Sequence, residues 1–196
     1  MKLSLYRLTF LSFVALAAGV AAQQEQRQHS AEYRSMEQKA AYLKQNAANI
    51  RPDPKPTEIT QAEANAYFAE GGVKLPKGVT KLQLAAQPGV LDAHALVDFD
   101  TITQKARAGN PLFSVFTGVH DVHGVAHAEG ANGTGTIRVE SVYLDNIQVP
   151  EIALEFFVER YLKPKYPSVG MTSTFKLPLR IDSAVVESGQ VRLVQK

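Results

Sequence analysis

The chain has no cysteine. That absence excludes disulfides, thiolate metal sites, cysteine nucleophiles and a lipid-modified N-terminal cysteine together. An excess of one charge is missing too, since 21 Lys and Arg stand against 19 Asp and Glu, interspersed along the chain. A nucleic-acid binder needs a basic face to neutralise phosphates, and no basic run supplies one, so no nucleic-acid partner is expected. Catalytic signatures are equally scarce. No serine sits in a nucleophile elbow. The glycines from Gly130 to Gly135 lie between strand-like segments instead of opening a helix, so they form no phosphate cradle. Asp98 and Asp100 could share a strand face, but without an acid–base partner or nucleophile a solvated face accounts for them. The expectation is a non-enzymatic protein with no cofactor and no metal.

What is present begins with a targeting pattern. Lys2 and Arg7 precede an apolar stretch from Leu8 to Ala18, and the small residues Val20, Ala21 and Ala22 lead to Gln23. This is the layout of a cleavable secretory signal over residues 1–22, and its apolar core is too short to span a bilayer comfortably. The expected location is periplasmic or secreted; retention of the segment as an anchor is the alternative. Losing Lys2 and Arg7 leaves 19 basic residues against 19 acidic ones.

Residues 23–56 read as a polar N-terminal section. Gln23 to Gln28 is Gln-rich, and Tyr33, Met36, Ala40, Leu43, Ala47 and Ile50 then recur at helical spacing, predicting a helix from about Ser30 to Asn49. Its stripe is thin, so the helix rests on the domain, serves as a spacer, or docks an envelope protein partner. Alternating prolines at Pro52, Pro54 and Pro56 end it in a semi-rigid linker.

Residues 57–196 read as a single α+β domain. Thr60 and Glu63 match a capping box, predicting a helix from Gln61 to Glu70 that buries Ala62, Ala66, Tyr67 and Phe68. Leu82 and Leu84 alternate with polar neighbours. After the Pro88-Gly89 turn, Leu91, Ala93, Ala95, Val97 and Phe99 alternate against Asp92, His94 and Asp98, as on a strand with one buried and one wet side. Thr101 to Ala108 suits a short helix. Val119–Glu129 and Thr134–Asp145 read as a hairpin joined by Gly130 to Gly133, and Thr174 to Val186 as a strand that turns at Glu187–Gln190 into Val191–Gln195.

The most apolar segment of the mature chain is Asn146 to Lys163, where Glu151, Glu155 and Glu159 sit four apart in one narrow stripe. Pro150 suits the first helical position. A helix apolar over most of its circumference must be wrapped, so the expected fold is a strongly curved antiparallel sheet of about six strands around this long helix. Small residues at Gly124, Ala126 and Ala128 facing Phe156 and Phe157 mean either close helix approach in a closed core or a cavity left for a ligand.

The histidines of His120-Asp121-Val122-His123 and His127 look like a ligand cluster, but valines, glycines and alternation place them on a strand. There His120 and His123 point to opposite faces, and His123 and His127 lie roughly 13 Å apart, beyond the reach of one ion. A zinc site would need help from another strand, such as His94 with Asp92. They are read as surface groups.

Ile59 to Phe68, the Asp145–Pro150 loop leading into the apolar helix, and Phe175-Lys176-Leu177-Pro178-Leu179 before a terminal hairpin resemble, in order and pattern, a family of small bacterial envelope proteins. These are the LmeA-like phospholipid-binding proteins, related to the tubular lipid-binding (TULIP-like) superfamily. The resemblance covers Ile59 to Val194 and implies an apolar groove for lipid or another apolar small molecule between helix and sheet. Its walls would be Leu154, Phe156, Phe157 and Tyr161 on the helix, with Val122, Ala126, Ala128 and Phe99 on the strands. Many such relatives are anchored through a cysteine, which this chain lacks.

Mature protein recovered from the envelope should begin near Gln23. N-terminal sequencing checks this, and Met1 at the start of the recovered chain would establish a retained anchor instead.

Overall fold

A strand of thirteen residues outruns a partner of nine, and its edge must then be filled by two strands in tandem. The computed structural model describes residues 29–103, 117–164 and 167–196. In it the long strand is β4, Val119–Ala131. On one edge it pairs with β3 (Val90–Asp98) as far as His127, and beyond that Gly130 pairs with Ala184 of β8 (Ile181–Glu187). Glycine is required there, because a β-carbon on Gly130 would lie 2.8 Å from that of Ala184.

On its other edge β4 pairs with β5 (Thr134–Leu144) through a two-residue turn, Asn132-Gly133, with φ of 51° and 72°. This is the primed hairpin geometry that Asn-Gly favours. The outer edge of β5 is again shared. β6 (Ile147–Gln148) occupies Tyr143 and Leu144, and β7 (Thr172–Lys176) occupies Thr134 to Arg138. The Val149 amide donates to the Val142 carbonyl and the Val139 amide to that of Met171, each at 2.8 Å, which bridges the interval between them. β2 (Val79–Gln87) completes a hairpin with β3, while β9 (Gln190–Gln195) links β8 to β1 (Thr57–Thr60). The result is one antiparallel sheet of nine strands.

The structure overturns the expected wrapping. The apolar segment forms only a seven-residue helix, Glu151–Phe157, continued by a π-helical turn at Val158–Leu162, with Pro150 as its N-cap. None of those seven residues is buried, and Ile152 and Phe156 are 79% and 54% exposed. The physical reason lies in the shared edge of β5. The chain leaves that edge after β6 and returns to it at β7, so the helix is an excursion from the sheet margin, not an axle inside it. The expected strand Thr174–Val186 is likewise broken in two at Leu179 and Arg180, both left-handed at φ of 54° and 55°. The expected helix Thr101–Ala108 starts earlier, at Phe99–Thr103; its later residues, like Phe113, Phe116 and residues 1–28, lie outside those described.

The helix α1, Ala31–Ala47, belongs with the sheet, and Ala31–Lys196 forms one compact unit. Tyr33 and Leu43 are buried on it, and the Tyr33 ring meets that of Tyr67 at a tilt of 37° with centroids 5.1 Å apart. Asn46 and Gln195, both nearly inaccessible, hydrogen-bond at 2.8 Å. Asn46 also grips the backbone of Asp53 through both amide ends, and Gln195 donates to the carbonyls of Leu43 and Leu179. Four segments of chain are tied by two amides, with the buried polar atoms satisfied by one another.

The second helix, α2 (Gln61–Ala69), starts with the expected capping box, Thr60 and Glu63. It buries Glu63, not Ala62, Ala66, Tyr67 or Phe68. Besides the Thr60 amide, the Glu63 carboxylate accepts from Ser35 and from Lys39, at 2.7 and 2.8 Å from the ammonium. Asn65 exchanges two hydrogen bonds with the backbone of Leu84, covering the outer edge of β2 as a strand would.

Burial pushes the Glu63 carboxyl up, yet Lys39, Ser35 and Thr60 together bring it down to about 2 from 4.5. Its folded pKa is lowered, so the stabilisation is present above about pH 4.5 and is lost as pH falls toward 2. Because Lys39 stays partly in solvent, which screens the pair, that shift is worth on the order of 1–2 kcal/mol. Glu63→Gln should remove most of it and flatten the acid limb of the unfolding curve, measured by urea titration from pH 6 down; an unchanged limb would refute the assignment.

Candidate functional site

Antiparallel pairing puts directly opposed residues on the same face of a sheet. The register aligns His94 with His123, and His123 with Tyr143, while Asp92 and Asp121 share that face by alternation. The opposite face of the same strands carries Leu84, Ala93, Ala95, Val122, Val142 and Leu144. Each strand thus contributes to a polar cluster and to an apolar floor.

In the polar cluster the rings of His94 and His123 stack with centroids 4.0 Å apart and planes within 5°. Tyr143 stacks on the other side of His123 at 5.3 Å. The Asp92 Oδ1 lies 2.9 Å from His123 Nε2 and 3.5 Å from His94 Nε2. On its far side His94 turns Nδ1 toward Asp121 Oδ1 at 3.7 Å. His127 stands apart with Glu140, which occupies a bulge in β5, at 2.9 Å. Asp92 and His94 are the other-strand residues that the sequence named as the help a zinc site would need; the register of β3 on β4 brings them beside His123, and His127 lies outside that group.

His120, on the apolar face, behaves differently. Its Nδ1 meets Asp145 Oδ2 at 2.5 Å, and its Nε2 meets the Thr117 carbonyl at 3.0 Å. Both nitrogens face acceptors, so the ring is best satisfied as the doubly protonated cation. The Asp145 bond is the main influence raising the His120 pKa, and the same bond holds the Asp145 carboxyl low. Phe99 meets His120 edge to face at 5.3 Å.

The other residues expected to line a groove are spread more widely. Val122, Ala126 and Ala128 lie half-buried on the apolar face of β4, and Phe99 at its margin. Leu154 and Phe157 are half-buried on the excursion helix, Phe156 is exposed, and Tyr161 falls in the π-helical turn. A cleft of about 460 Å³ beside this helix is lined partly by Glu155, Glu159 and Lys163, a charged wall unsuited to an acyl chain. No family model, curated protein or solved structure matches the chain.

His120 has a raised pKa, so its contribution to stability is full below about 6.5 and is lost as pH rises through the folded value. The Asp145 contribution runs the other way: present above about 3.8, lost as pH falls through its depressed value. Asp145→Asn should return the His120 titration, followed by NMR, to near 6.5. A His120 midpoint that stays raised in that variant would show that Asp145 is not the cause.

Proposed function

We infer that the protein is an exported, non-enzymatic binding protein for lipid or another apolar small molecule, held on the apolar face of β2–β5. One observation carries this reading. Leu84, Ala93, Ala95, Val122, Val142 and Leu144 share a face and are all only half-buried, so the side of the sheet that should be core is left partly open. Apolar area removed from water is worth roughly 25 cal/mol per Å², and small side chains at Ala93, Ala95, Gly124 and Ala126 make a smooth floor for an acyl chain. This reading does not need a wrapped helix. A second reading, docking of an envelope protein partner, is favoured by Ile152 and Phe156, whose exposure leaves apolar surface on the excursion helix. Docking through Ser30 to Asn49 has less to offer, because Tyr33 and Leu43 of α1 are already turned against the chain's own domain.

A floor that is open accepts an added ring. Ala126→Phe should therefore change stability by no more than about 0.5 kcal/mol while sharply reducing uptake of a fluorescent fatty acid. In a closed core the same ring would cost about 1–3 kcal/mol. Wild type that takes up no fatty acid, together with an unstable Ala126→Phe variant, would refute the apolar-ligand reading.

A further inference from the structure

We propose that Asp92, His94 and His123 form a binding site for a divalent transition-metal ion of zinc-like preference. The site lies on the sheet face opposite the apolar floor and stands independently of any apolar ligand. The three side chains offer one ligand atom each, and these atoms all lie within 4.8 Å of one another. Zinc bound tetrahedrally at about 2.0–2.1 Å holds its ligand atoms about 3.3 Å apart. The observed separations from Asp92 Oδ1, 2.9 Å to His123 and 3.5 Å to His94, bracket that value. Two imidazoles with one carboxylate is a donor set that suits zinc and its neighbours better than calcium or magnesium.

A second observation points to a shared cation. Asp92 Oδ1 and His123 Nε2 are both shielded from solvent, yet neither makes a hydrogen bond, although they stand only 2.9 Å apart. Their approach is off the line that an N–H···O bond needs. The same protein shows what a histidine–aspartate hydrogen bond looks like, at His120 and Asp145. Two buried polar atoms this close without a hydrogen bond are an unsatisfied pair, and one ion held by both would satisfy them. The rings of His94 and His123 lie within 5° of parallel, so binding turns the exposed His94 ring until both Nε2 lone pairs meet at the ion.

The surroundings supply what a metal site needs beyond its ligands. Asp121 faces the far nitrogen of His94, favouring the tautomer that carries its proton on Nδ1 and frees Nε2 for the ion. Tyr143 limits rotation of His123. His94 is exposed, so a fourth position opens to solvent, where water completes the coordination.

Zinc titrated into the full chain as isolated, followed by calorimetry and by NMR of the imidazole nitrogens, tests this. One ion per chain should bind, with Nε2 of both His94 and His123 shifting as metal ligands do. His94→Ala and His123→Ala should each abolish the calorimetric signal, and His127→Ala should leave it unchanged. At 3.7 Å Asp121 acts on His94 by charge, so Asp121→Asn should weaken binding by no more than about 10-fold. Binding that persists in the His94→Ala/His123→Ala double variant, or that is lost equally in His127→Ala, would overturn the site. Should a variant unfold, the wild-type nitrogen shifts decide alone: unmoved His94 and His123 resonances at saturating zinc overturn it.

Discussion

Everything in this fold answers to the length of the β4–β5 hairpin. Backbone amides and carbonyls along a strand need partners, and β4 and β5 are each too long for a single neighbour on the outer side. β3 and β8 divide the outer edge of β4, while β6 and β7 divide that of β5. Every division forces an excursion of the intervening chain. The apolar helix after Pro150 is one of these, which explains how a segment so rich in Ile, Leu and Phe stays at the surface. A helix is buried only if other elements cover it, and here both its ends are tethered to a sheet margin.

Among the described residues no large side chain is fully buried, and polar clamps carry an unusual share of cohesion. The Asn46–Gln195 pair ties α1, the proline-rich segment, the Leu179 turn and the last strand. Glu63 ties α1 to the start of α2. Such networks stabilise only when complete, since a buried group that loses its partner costs about 1–3 kcal/mol. The left-handed Leu179 and Arg180 show the same dependence. Conformations of that kind cost about 1–3 kcal/mol per residue, and Gln195 and Arg180 hold the turn by bonds to the Leu179 and Asn49 carbonyls.

Local signals in the sequence proved legible where they rest on neighbours along the chain. The capping box at Thr60 and Glu63, the helix beginning near Ser30, and the alternation through β3 all depend on spacings of two to four residues. The unreadable features depend on partners far away. Leu and Arg rarely adopt positive φ, so nothing in their types marked the break between β7 and β8. The apolar run after Pro150 was read as buried because composition states how much surface a helix would gladly hide, not whether anything lies near enough to hide it. His94 and His123 were each seen as strand histidines, but only the register of β3 on β4 sets them face to face.

That register also settles why the two faces of one sheet can carry different chemistry without conflict. The period of a strand is two, so Ala93 lies between Asp92 and His94, and Val122 and Gly124 flank His123. A slip by one residue would turn every one of these side chains over, sending the histidines to the apolar floor and the alanines to water. Burial of Val97 near one end of β2–β3 and the pairing of Asn65 with Leu84 further along β2 both oppose such a slip. The geometry of the histidine cluster therefore rests less on the cluster itself than on what packs and pairs around it. Its stacked rings and its closely approaching Asp92 and His123 atoms are held in place by a register that the apolar side of the same strands enforces.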